Sequence, residues 1–112
     1  MKRKASIIII GVVSMLVSHL AHSAAGWTDY ATVAELIPTN HYYYKFNLPV
    51  KKNPGGCKEE NWFYQNYSSS GSDQMFNTLL EAIKSRLRIR VYVTGVCNLD
   101  GFSEISSVGI IP

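Results

Sequence analysis

Between Leu87 and Thr94 the chain alternates apolar and polar side chains without a break, with Leu87, Ile89, Val91 and Val93 on one side and Arg88, Arg90, Tyr92 and Thr94 on the other. Successive side chains of a strand point to opposite faces, so this stretch reads as a strand with one buried face. Such a face needs a sheet around it, and the rest of the chain supplies one. Thr32 to Ile37 is β-branched and apolar and stops at Pro38, which cannot donate to a ladder. Tyr42, Tyr44, Phe46 and Leu48 then alternate with Tyr43, Lys45 and Asn47, which predicts a second strand that buries the first set and exposes the second. After the turn signal Asn53-Pro54-Gly55-Gly56, Asn61 to Tyr67 is an aromatic-rich third strand.

The period then changes. Met75, Phe76, Leu79, Leu80 and Ile83 fall on one side of a 3.6-residue helix, and Ser72 and Asp73 are good N-caps, so a helix is expected from about Asp73 to Ser85. A turn at Cys97-Asn98-Leu99-Asp100-Gly101 separates the Leu87–Thr94 strand from a last one, Phe102 to Ile111. The expected class is mainly β with one helix, in the order β-β-β-α-β-β. That is the order of the OB-fold, a five-stranded barrel with the helix plugging one end. A ferredoxin-like fold needs a helix between its first two strands, and the short Pro38-Thr39-Asn40 link leaves no room for one.

Residues 1–25 read as a secretory signal peptide, and 26–112 as a single domain. Lys2, Arg3 and Lys4 form a basic start, Ala5 to Val17 is almost wholly apolar, and small residues follow at Ala21, Ser23 and Ala25. The apolar run is shorter than the roughly 20 residues a bilayer span needs, so no stable membrane anchor is expected after processing. Cleavage is expected after Ala25, with Ser23 as the alternative, and export to the periplasm or the medium follows. The formal net charge of +3 resides in that segment, because the remaining eight Lys and Arg are matched by eight Asp and Glu. Nucleic-acid binding, which needs clustered uncompensated cations, loses its support.

About 87 residues then have to bury enough surface to fold, a size at which a covalent staple helps. Cys57 and Cys97 are the only cysteines, and in an exported chain such a pair is expected to form a disulfide.

Catalytic chemistry finds little footing, and no enzyme activity is expected. Ser68 to Ser72, His41 and Asp73 could supply the residue types of a triad, but His41 sits in a turn and no serine has nucleophile-elbow spacing. Glu59, Glu60 and Glu81 read as solvated charges. No metal-ligand spacing, phosphate loop or dinucleotide fingerprint is present, so neither metal nor cofactor is expected. Binding is easier to argue. Arg88, Arg90 and Tyr92 share the outer face of their strand, and Tyr43 and Lys45 the outer face of the second. Rings that stack, with Arg or Lys making directed hydrogen bonds, are how OB-folds hold ligands. The plainer alternative pairs Arg88 and Arg90 with acids such as Glu104 as ordinary strand-surface charges.

Gly26-Trp27-Thr28, the Val33 to Ile37 strand, the helix Phe76 to Ile83, Arg88-Ile89-Arg90-Val91-Tyr92 and the closing Ser107-Val108-Gly109-Ile110 resemble the layout of the B subunits of subtilase-type and pertussis-like AB5 toxins. The chain also resembles a family of small exported bacterial proteins of unassigned function, through its Gly-Cys turn, Tyr-Ser-Ser hinge, Arg-Val-Tyr-Val-Thr-Gly strand and Ser-Ser-Val tail. The toxin resemblance implies a secreted OB-fold module that binds glycans and leaves a homo-oligomer open. The segment from Trp27 to Val33 is shorter than in those subunits and the cysteines sit elsewhere, so no sugar-binding residue carries over. The expected function is a secreted, non-catalytic module that recognises a glycan or a protein partner. The alternative is a periplasmic structural or inhibitory protein.

Overall fold

A computed structural model describes residues 24–112. The basic start and apolar core of the expected signal peptide, with Ser23, lie outside the described residues, while Ala24 and Ala25 are exposed. The described chain is mainly β with one helix: β1 (Gly26–Trp27), β2 (Ala31–Thr32), β3 (Glu35–Pro38), β4 (Tyr43–Asn47), β5 (Trp62–Asn66), α1 (Ser72–Ser85), β6 (Arg88–Cys97) and β7 (Ser103–Ile111). The strands form one mixed sheet in the order β1-β6-β7-β5-β4-β3, and β2 also pairs with β6. Only β5 and β7 run parallel, matching Phe63 with Ser103 and Tyr64 with Glu104. The remaining pairs are antiparallel.

The first expected strand, Thr32 to Ile37, is divided. Ala31 and Thr32 pair with β6, Glu35 to Pro38 pair with β4, and the change of partner falls at Val33 and Ala34. A backbone hydrogen bond from Ala34 to Asn47 marks where the segment has moved across. One run of residues, 26 to 38, therefore reaches β6 at its start and β4 at its end.

The alternations on β4 and β6 orient both strands as their periodicity predicts. Tyr44, Phe46, Leu48, Ile89, Val91 and Val93 are fully buried. They join Val33, Phe63 and Ile105, and the helix adds Met75, Leu79 and Ala82 to the same cluster. Phe46 stacks on Phe63 at 5.5 Å, and Tyr44 meets Phe76 edge-on at 5.1 Å. Two expectations fail at the margins of this core. Tyr42, expected inside, is 86% exposed, because β4 begins one residue later and Tyr42 belongs to a turn with φ +73°. Leu80 and Ile83 lie at the edge of the helical stripe and stay exposed, while Ala82 takes the inward position.

The helix also starts differently from the expected Ser72 or Asp73 cap. Gly71 occupies the N-cap position in a left-handed conformation, which favours glycine, and no side chain caps the helix. The Ser72 hydroxyl is buried without a hydrogen-bond partner among the described residues. Its carbonyl instead accepts a bond from the Tyr44 hydroxyl at 3.3 Å. Arg86, at φ +54°, ends the helix and turns the chain into β6.

Cys57 and Cys97 form the disulfide, with Cα atoms 5.6 Å apart. It ties the loop between β4 and β5 to the last residue of β6.

Candidate functional site

The outer face of β6 is bordered by the segment that pairs along its edge. Thr28 is buried and donates its backbone N–H to the Val91 carbonyl at 2.9 Å, while its hydroxyl accepts the Val91 N–H at 3.1 Å. This two-way bond fixes the register of the segment, with Trp27 opposite Tyr92. Asp29 anchors its other side by accepting the backbone N–H groups of Lys51 and Lys52 at 3.3 and 3.1 Å. Trp27 and Tyr30, on either side of these anchors, are thereby held over the strand.

Arg90 lies against both rings. Its guanidinium carbon is 4.3 Å from the centre of Trp27 and 5.2 Å from that of Tyr30. Trp27 meets Tyr92 edge-on at 5.4 Å. The arginine stem lies over Gly109, its partner on β7. A Cβ there would stand 3.4 Å from Arg90 Cγ and 3.5 Å from Nε, against the stem that now lies over it. The Nε–H is buried and has no hydrogen-bond partner among the described residues. A guanidinium in this setting is oriented by its π neighbours rather than by a carboxylate, and a flat cation on a ring face suits that geometry. Such stacking contributes roughly 0.5–1 kcal/mol at exposed sites and more where water is excluded. Trp27 remains 37% exposed, so part of its indole is open to a ligand.

A second aromatic group covers the outer face of β4 and β5. Tyr43 meets Tyr64 edge-on at 5.8 Å, Trp62 stacks on Phe102 at 5.4 Å, and Lys45 Nζ lies 5.8 Å from the centre of the Phe102 ring. Lys45 stands opposite Tyr64, and Tyr64 opposite Glu104. Tyr64 is buried even though it is on the outer side. Burial pushes its phenol above the ordinary tyrosine range, and the Glu104 carboxylate adds to the shift. Glu104 also accepts the Thr94 hydroxyl at 2.8 Å, which links this group to β6.

Arg90 and Tyr92 are thus brought together on one face, and Tyr43 and Lys45 on another. Arg88, opposite Thr32 and Ile111, is exposed and stacks on no ring among the described residues. The Arg90–Glu104 pairing of the plainer reading is replaced by the aromatic stack, and Glu104 turns to Thr94. Trp27, in a two-residue strand, and Tyr30, in the link between β1 and β2, have no periodicity to read, so neither is expected at the site. Trp62, Tyr64 and Phe102 had a signal in the aromatic richness of their strands, but nothing local joins them to Lys45.

Among the described residues there is no pocket and no cluster of three or more His, Cys, Asp or Glu that could hold a metal ion. No helix among them is long and apolar enough to cross a membrane. A scan against protein-family models finds no match, and a search of curated proteins finds no similar sequence.

Proposed function

We propose that this is an exported, non-catalytic binding module whose ligand, a glycan or a segment of a partner protein, lies across the outer face of β6. The observation that carries the reading is Arg90, stacked on Trp27 and Tyr30 with a buried Nε–H that none of the described residues satisfies. Leaving a buried donor unpaired costs about 1–3 kcal/mol, and the stack offsets that cost without using the fork of the guanidinium. Its terminal nitrogens then offer directed donors beside the exposed part of an indole. A ligand with one apolar face and a nearby carbonyl, carboxylate or hydroxyl oxygen meets both demands, which describes a sugar ring as well as a peptide.

The sheet beneath is, in this reading, an OB-type barrel. Four observations support it: residues 26–38 pair with β6 and then β4, β5 and β7 run parallel, the helix lies between β5 and β6 in sequence, and its apolar stripe joins the strand core. OB barrels carry ligands on outer strand faces and loops rather than in the packed interior.

A glycan array probed with residues 26–112 tests the sugar reading, and Arg90→Lys tests the face. Lysine keeps the charge but loses the flat stacking fork, so the variant should bind the retained glycans at least tenfold more weakly, with an unchanged circular dichroism spectrum. An array without a specific hit removes the glycan, and undiminished affinity in the Lys variant removes the face.

A further inference from the structure

One side of β7 is paired over its whole length and the other is not. β6 lies along it from Ser103 to Ile111, whereas β5 reaches only Ser103 and Glu104. The Gln65 side chain donates to the Ile105 carbonyl just past that point. Backbone groups of successive residues point alternately to the two sides of a strand. Val91 directs its N–H and its carbonyl at Thr28, away from β7, so Val108 opposite it turns its own pair away from β6. Ile110, two residues on, does the same. Val108 and Ile110 therefore hold their N–H and carbonyl groups along an open edge, with no hydrogen-bond partner among the described residues.

Donors and acceptors at strand spacing are matched by another extended backbone rather than by a sugar or a helix. Every strand among the described residues is already in the sheet, so the complement comes from a second molecule. Edges are commonly guarded by charge or proline. The end strand β3 carries Glu35 and Pro38, whereas Ser106 to Ile111 contains neither a charged residue nor a proline. The extra residue at the register shift is Ser106, which precedes Val108 and leaves the rest of the edge regular. This segment is also its own complement. Antiparallel pairing about Gly109 sets Val108 opposite Ile110 of a second copy, and Ile110 opposite that copy's Val108. Each pair exchanges both of its hydrogen bonds, Val lies beside Ile, and Gly109 on the axis has no side chain to clash. Ile110, 37% exposed, is covered in the process. We propose that the open edge of β7 joins two copies of this chain into a two-fold dimer with its axis at Gly109. Because the Arg90 stem lies over Gly109, the two Arg90 stacks then share one face, about 14 Å apart across three strand spacings. That consequence rests on the Arg90 reading, and the dimer does not.

Sedimentation and hydrogen exchange test it. Protein purified from cells that express the full-length chain should sediment at twice its protomer mass at high concentration and dissociate on dilution. Ile110→Lys places a charge where the monomer is exposed and where the dimer sets Val108 of the second copy. It should weaken association at least tenfold with an unchanged circular dichroism spectrum. Val108→Pro removes an outward donor without touching the β6 ladder and should do the same, so one variant serves if the other fails to fold. Exchange followed by NMR places the contact. The Val108 and Ile110 amides should exchange at least tenfold faster in the monomeric variant than in the wild-type dimer, while that of Gly109, which faces β6, stays slow in both. A protomer mass at every concentration up to about 1 mM overturns the proposal. So does an assembly of more than two copies, a dimer that survives in a folded variant, or rapid exchange at Val108 and Ile110 in the wild-type dimer.

Discussion

Replacing both cysteines by serine, Cys57→Ser with Cys97→Ser, should cost about 4 kcal/mol. The bridge joins residues 40 apart in sequence and closes a ring that contains β5, α1 and nearly all of β6. In the chain-entropy model a ring of that length removes about 13 cal/mol/K from the unfolded state, or about 4 kcal/mol at 25 °C. A domain of this size has a total stability of roughly 4–13 kcal/mol, so the loss is a third or more of what holds it folded. Urea unfolding followed by tryptophan fluorescence measures it, since Trp27 and Trp62 lie in different parts of the sheet. Because the mechanism acts on the unfolded chain, the urea dependence should also steepen: the untied chain exposes more surface when it unfolds. A loss below about 1 kcal/mol, or a large loss with an unchanged slope, would refute the entropic reasoning and place the contribution in native contacts instead.

Two further substitutions separate inside from outside. Val91→Ala leaves a hole in a fully buried position and should cost about 2 kcal/mol, whereas Arg90→Ala should cost about 1 kcal/mol, more than an ordinary exposed strand residue, because the Trp27 and Tyr30 contacts go with it. Equal losses in urea titration would mean that the alternation has been assigned to the wrong faces. Tyr44, which burial pushes up to about 12 against 10 in the unfolded chain, should lower stability as the solution passes from pH 10 to pH 12. Across that window the unfolded chain sheds the proton while the folded one keeps it. The total is on the order of 2 kcal/mol, and Tyr44→Phe should flatten that part of the profile.

What could be read from the residues was what repeats. Ile89, Val91 and Val93 on β6, and Tyr44 and Phe46 on β4 with Leu48 just past its end, announce their buried face because burial on one side imposes a period of two. Tyr42 follows the same pattern and breaks it in space. Its backbone turns one residue before the strand begins, and a tyrosine at positive φ has no sequence signature. Trp27 escaped for a different reason. Its strand is two residues long and exists only because Tyr92 lies opposite, a pairing that no local window contains. At the helix start, Ser72 and Asp73 had the chemistry of caps, but Ser72 was drawn into the interior beside Tyr44 and Gly71 took the position. Arg90 was identified as an outward cation on β6. Its aromatic setting was not legible, because Tyr30 and Gly109 reach it from both ends of the chain.

The pairing of the first strands with β6 has a consequence for the order of events as the polypeptide is made. Gly26 lies opposite Val93, 67 positions later, and Trp27 opposite Tyr92. Pairings at that sequence distance form slowly, after the closure of a long loop. The segment that carries β1 and β2 therefore waits until most of the chain has followed, while β4, β5 and α1 can begin to assemble among themselves. A chain interrupted before Arg88 leaves β1 and β2 with nothing to pair with and Trp27 with no arginine to cover. The paired outer face of β6 is thus absent from every chain that stops before Arg88 and comes into being only once β6 has followed.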